Sequence, residues 1–287
     1  MALKLPPHLS AAPRGQRPSE LALQNAAAAI QAGLPREAER LAAEVLQGNA
    51  GNLPAMQLLG TALLMQGRGK DAILPLERAA RRSRDAATET RLAIALRQAG
   101  REEEAREQLE RAIKRKPSFP QAFLELASLL FVIGRKDEAI DILRQGLVVT
   151  PDSADLSMQL GRLYATQGKN AEALASFART VALVPGHRDA LFALARAFQA
   201  QRDFAQAAET YRRLLAATPK DAAAQIGLGI CLIELGRGEE GFDHLRAASR
   251  TSAKIFGEAV SALVDAGRGC FWLRPSDAAR ALRGENN

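Results

Sequence analysis

Three histidines and two cysteines are the side chains best equipped for nucleophilic, acid–base or metal chemistry in this 287-residue chain. They are scattered. His8 falls near the N-terminus, His187 between two helical segments and His244 inside one. Cys231 sits in an apolar helical stretch, where a thiol behaves as a small hydrophobe. With Cys270 it makes neither a disulfide framework nor a metal-spaced pair. Gly227, Gly229, Gly236 and Gly238 lack the preceding strand that a dinucleotide loop needs. Gly67-Arg68-Gly69-Lys70 lacks the first glycine of a phosphate loop, because Leu64 stands in its place. No Cys–His or Ser–His–Asp set emerges. The reading is a chain with no catalytic residue, no cofactor and no metal, so its work must be done by a surface.

The surface has to be built by elements with a period. Pro117, Pro151, Pro185 and Pro219 are evenly spaced. Leu92, Leu126, Leu160, Leu194 and Leu228 keep the same step, as do Gly100, Gly134, Gly168 and Gly236, with Arg202 the exception. A fixed period of this size, about 34 residues, marks a repeat array. Within one period, Asp152 or Ser153 can cap a helix whose apolar stripe is Leu156, Leu160, Leu163 and Tyr164. Gly168 ends it through a left-handed cap. A second stripe, Ala173, Leu174, Phe177 and Val181, follows, and Pro185 closes the unit because it lacks the N–H of a continuing helix. Each unit is helix–turn–helix, with Gly161 and Ala173 letting the helices approach and Tyr164 and Phe177 filling the space.

The spacing of Gly161, Tyr164, Ala173, Phe177 and Pro185, and of Ala195, Phe198, Ala207, Tyr211 and Pro219, resembles the tetratricopeptide repeat. That resemblance implies an all-α, right-handed α-solenoid superhelix of about seven units: 19–52, 53–85, 86–119, 120–153, 154–187, 188–221 and 222–255. The second is one residue shorter than the rest. Residues 1–18, with four prolines, read as a disordered lead-in. A capping helix is expected over 256–267, and residues 268–287 form a tail with a short helix from Pro275. Phe271, Trp272 and Leu273 either fold back on the end of the stack or dock a partner. Pro75, inside a second helix, should remove one hydrogen bond and kink it.

The resemblance also implies a concave groove lined by the first helix of each pair. Its candidate lining is Gln57, Thr61, Leu64, Thr90, Arg91, Ile94, Gln121, Leu124, Glu125, Ser128, Phe131, Met158, Gln159, Arg162, Phe192, Arg196, Gln199, Ile226, Ile230 and Ile233. Phe131, Met158, Phe192, Ile226 and Ile230 form an apolar trail that marks either a partner site or packing between neighbouring first helices. Arg91, Arg162 and Arg196 can bind carboxylates. The groove has neither lysine nor asparagine at these places, which argues against the carboxylate clamp of chaperone-binding arrays. The partner expected is a peptide or short helix with apolar anchors and an acidic feature.

The net charge of +7 does not point to nucleic acid. Residues 1–18 carry +3 and residues 268–287 carry +2, leaving +2 for everything between. A nucleic-acid binder concentrates its charge on the folded surface. The runs Arg81, Arg82, Arg84 and Lys114, Arg115, Lys116 read as complements to helix C-terminal dipoles. No apolar run reaches signal-peptide or membrane-spanning length, so a cytoplasmic protein is expected. The function that fits is a protein-binding scaffold or adaptor. The alternative is a targeting subunit of an enzyme, such as a sulfotransferase or glycosyltransferase, on a separate chain. RNA binding by the repeats is a third reading.

Overall fold

The computed structural model of the chain describes residues 18–251, 253–265 and 275–283, and every element among them is an α-helix. The chain divides into two compact units, Met1–Thr150 and Pro151–Asn287. The first holds α1 (Pro18–Gln31), α2 (Pro35–Gly48), α3 (Leu53–Met65), α4 (Gly69–Ser83), α5 (Ala86–Gln98), α6 (Glu102–Ala112), α7 (Pro120–Val132) and α8 (Lys136–Val149). The second holds α9 (Ala154–Thr166), α10 (Asn170–Leu183), α11 (Arg188–Ala200), α12 (Phe204–Ala217), α13 (Ala222–Glu234), α14 (Gly238–Ser249), α15 (Ala253–Asp265) and α16 (Pro275–Arg283). Within each unit consecutive helices pack as hairpins and each hairpin packs on the next.

The turn inside each hairpin is set by one residue with positive φ. Gly33, Gly67, Gly100, Gly134, Gly168 and Gly236 take values between 70° and 86°, and Arg202 takes 61°. The residue that follows donates its N–H to a carbonyl five residues back. Arg101 donates to Leu96, Arg135 to Leu130, Lys169 to Tyr164 and Arg237 to Leu232, at 2.8–3.0 Å. This is the Schellman closure that satisfies orphan carbonyls at a helix end. The step from Gly67 to Gly100 is one residue shorter than every other step in the series, which locates the short period in the second hairpin.

Five of the first helices, α3, α5, α9, α11 and α13, are capped by side chains that accept from the backbone three residues on. Asn52 accepts from Ala55 (2.9 Å), Asp85 from Thr88 (2.8 Å), Ser153 from Leu156 (3.3 Å), His187 through Nδ1 from Ala190 (3.2 Å) and Asp221 from Ala224 (3.1 Å). Each satisfies one of the free donors at a helix start. Several second helices begin without such a cap and use an arginine instead. Arg101 grips Glu104, Arg135 grips Glu138 and Arg237 grips Glu240, each through two N–H···O contacts of 2.5–2.9 Å. The glutamate also places negative charge at the helix N-terminus, where the dipole favours it.

The phased leucines, Leu92, Leu126, Leu160, Leu194 and Leu228, are all at most 7% exposed. Burying one such side chain contributes about 1.5–3 kcal/mol. Helix approach depends on small residues. A Cβ on Gly161 would come within 2.6 Å of the Phe177 ring, and one on Gly60 within 2.4 Å of Leu76. Gly229 and Gly241 face each other so closely that a Cβ on either would lie 2.7–2.8 Å from the other's carbonyl oxygen.

Several boundaries differ from expectation. Pro18 belongs to α1 as its first residue, where a missing N–H costs nothing; the rest of the lead-in lies outside the described residues. α4 runs through Pro75 to Ser83, with the proline inside the second helix as expected. The helix expected over 256–267 is α15, beginning at Ala253, and it closes a cluster of Ile233, Leu245, Ala259 and Leu282. Phe271, Trp272, Leu273, His8 and Cys270 lie outside the described residues.

Candidate functional site

In the first unit the first helices present a mostly polar line whose members hold one another. Gln57 on α3 reaches to the next hairpin, donating to the Thr88 hydroxyl at 2.7 Å. Thr61 donates to the Gln57 carbonyl. Glu125 on α7 accepts from the Gln121 amide at 2.7 Å and lies 2.9 Å from Arg97 on α5. Two predicted site residues, Gln121 and Glu125, are therefore one pair, with Arg97 as an unforeseen third member. Arg91, Ser128 and Phe131 are half-buried, and the Lys136 ammonium lies 5.8 Å from the Phe131 ring centroid. Leu64, Ile94 and Leu124 are half-buried as well, whereas Thr90 is fully buried and spends its hydroxyl on the Ala86 carbonyl at 2.6 Å.

The second unit is different. Arg162 on α9 and Arg196 on α11 are both exposed and occupy equivalent positions one period apart. Arg162 is 3.6 Å from Asp189; Arg196 has no ion-pair partner among the described residues. Gln159 is half-buried. Phe192, Ile226 and Ile230 on α11 and α13 are half-buried. Two members of the expected lining are instead core: Met158 is 6% exposed, and Ile233 is 3% exposed beneath α15 and α16.

Tyr211 on α12 organises this face from behind. Its ring meets Phe192 edge-on, with centroids 6.0 Å apart and planes at 67°. Its hydroxyl donates to the Gln199 side-chain oxygen at 3.2 Å. On its far side a Cβ at Gly227 would fall 2.3 Å from the ring. Burial pushes the phenol above its ordinary pKa, so it remains a neutral donor. Periodicity marks Tyr211 as a filler of the hairpin; its hold on Phe192 and Gln199 comes from contacts that spacing alone does not reveal.

The groups with chemical potential are otherwise occupied. Burial pushes the Cys231 thiol up to about 12, which suppresses the thiolate. His187 caps α11. His244 meets the Gln225 side chain at 2.5 Å, and burial holds its imidazole below the usual value. Among the described residues no His, Cys, Asp and Glu group is arranged to hold a metal, and no helix is long and apolar enough to cross a membrane.

The family model described as the tetratricopeptide repeat protein 21 N-terminal ARM repeat matches residues 29–228, and a tetratricopeptide repeat model matches 198–264. No curated protein matches the chain in sequence. Among solved structures it resembles the C-terminal part of a TPR repeat-containing protein from Cytophaga hutchinsonii, with a TM-score of 0.65 and 17% identity over 84% of this chain and 99% of that one. It also resembles Pseudomonas aeruginosa PilF (TM-score 0.58, 18% identity, 73% and 97% covered) and human IFIT1, solved as a dimer with m7Gppp-AAAA (0.56, 18%, 94% and 69%). These identities speak for the fold alone. The all-α hairpin array and the family match over 29–228 agree: the chain belongs to the tetratricopeptide repeat family, whose arrays generally mediate contacts between proteins.

Proposed function

We propose that this protein is a non-catalytic scaffold whose first-helix face takes a peptide or short helix with apolar anchors and an acidic feature. The observation that carries the reading is the face of α11 and α13. Phe192, Ile226 and Ile230 keep part of their apolar surface in water, and the Arg196 guanidinium beside them on α11 is without an ion-pair partner among the described residues. Apolar anchors flanked by a bidentate cation suit an amphipathic segment that carries a carboxylate. Tyr211 packs edge-on against Phe192 and close to Gly227, so one apolar anchor is buttressed before a partner arrives.

The test is affinity capture with the intact chain against the double variant Arg162→Glu plus Arg196→Glu. Both side chains are exposed, and the Arg162–Asp189 pair is half-exposed and loose, so it contributes at most about 1 kcal/mol. The variant is expected to lose the captured partner while keeping the wild-type melting temperature. Equal recovery with both proteins would refute the assignment of this face.

A further inference from the structure

Four arginines, two from each of two successive hairpins, line one recess in the first unit. Arg81 and Arg84 come from the end of α4, and Arg111 and Arg115 from the end of α6 and the turn after it. The recess has a volume of about 510 Å3, with Leu92 and Leu96 of α5 in its wall. That is the size of a small-molecule site. Dipole complementation accounts for each arginine singly. It does not account for their meeting from two helices, nor for the charge left over.

Three glutamates also line the recess, and two are already matched. Glu89 pairs with Arg115 at 2.7 Å, and Glu104 is held from outside by Arg101 at 2.5 Å. Glu77 is 4.0 Å from Arg81, and Arg111 turns loosely toward Glu107 at 3.5 Å. The Arg84 guanidinium has no hydrogen bond or ion pair among the described residues.

Arg84 carries a second, independent sign. Its φ of 48° and ψ of 31° are left-handed. Counted from the hairpin turns, it occupies the place of Pro117, Pro151, Pro185 and Pro219: each stands as far beyond its own turn residue as Arg84 stands beyond Gly67. Proline cannot take a positive φ, so here the helix is stopped by a different device, and glycine would serve it with less strain. Arg202 is the other non-glycine residue with positive φ among the described residues, and it has a visible use: its guanidinium lies 5.8 Å from the Phe204 ring centroid. Arg84 has no counterpart. A strained position that retains an unmatched cation at the edge of a cavity points to a ligand.

We propose that this recess binds a small phosphorylated molecule, with its phosphate groups on Arg84, Arg81 and Arg111. One guanidinium fork saturates the two oxygens of a carboxylate, whereas several forks suit the larger set of acceptor oxygens on phosphate. The site lies on the second-helix side and is independent of the peptide face.

The experiment is a calorimetric titration of the full chain with pyrophosphate, and with citrate as the carboxylate counterpart. Pyrophosphate is expected to bind saturably and more tightly than citrate. Arg84→Gly is expected to weaken it about tenfold or more, the loss of charged hydrogen bonds, while the ligand-free melting temperature stays level or rises. Arg81→Ala is expected to weaken it as well, and the Arg162→Glu plus Arg196→Glu chain to bind like wild type. The proposal is overturned by absence of saturable pyrophosphate binding, by unchanged affinity in Arg84→Gly, or by tighter binding of citrate.

Discussion

The face of α11 and α13 and the recess between α4 and α6 are made from the same hairpin yet leave different surfaces over. In the first, apolar surface stays in water around Phe192, Ile226 and Ile230, with the exposed Arg196 beside it. In the second, the leucines of α5 are buried and one of the four lining arginines, Arg84, has no partner among the described residues. Both differences begin where the chain departs from its own period. Gly227 stands where other copies carry Arg91, Glu125, Gln159 and Ala193, and it admits the Tyr211 ring. Arg84, counted from its turn glycine, stands where later copies carry proline. The period fixes the backbone; recognition sits in its exceptions.

Breaking the α11–α13 side is expected to have the larger effect. Tyr211→Ala removes a fully buried ring from between two hairpins and should cost about 3–5 kcal/mol in chemical denaturation. Gly227→Ala asks the same ring to move aside for one methyl group, with about 1–3 kcal/mol lost to overpacking. Gly238→Ala is its control. A Cβ there meets nothing within 4 Å, so that variant should be neutral or slightly more stable. A penalty for Gly238→Ala equal to that for Gly227→Ala would mean that the Tyr211 contact is not the cause. On the α4–α6 side, Glu89→Gln strips the charge from a buried carboxylate facing Arg115. Hydrogen bonds between charged groups contribute about 1.5–3 kcal/mol. Arg115 is more than a third exposed, so solvent screening places the loss at or below the low end of that range. The same variant frees Arg115 and should tighten pyrophosphate binding, measured by the same titration.

The hairpins were legible in the sequence because glycine turns, cap residues and phased leucines answer to local backbone geometry. Gly100 and Gly134 announce a left-handed turn wherever they stand, and Leu126 or Leu160 faces the partner helix in any copy. The exposed arginines, Arg162 and Arg196, were legible for the same reason. Ile233 was not, since the side chains that cover it, Ala259 and Leu282, come from outside the repeat. Thr90 was misplaced because its hydroxyl is satisfied by its own helix, which lets it be buried. The recess was hidden by a correct but incomplete explanation. A basic run at a helix end accounts for itself, and only the fold shows that arginines of two successive hairpins line one recess.

The paired glycines of α13 and α14 have a consequence for modularity. Consensus arrays tolerate exchange of one repeat for another, because each meets its neighbour through the same shapes. Here Gly229 and Gly241 are cut to fit one another, while the preceding hairpin carries Ala195 and Ala207 at those places. Grafting α11 in place of α13 would drive a methyl group into a carbonyl. This hairpin can be transplanted whole, and its halves have no other mate in the chain.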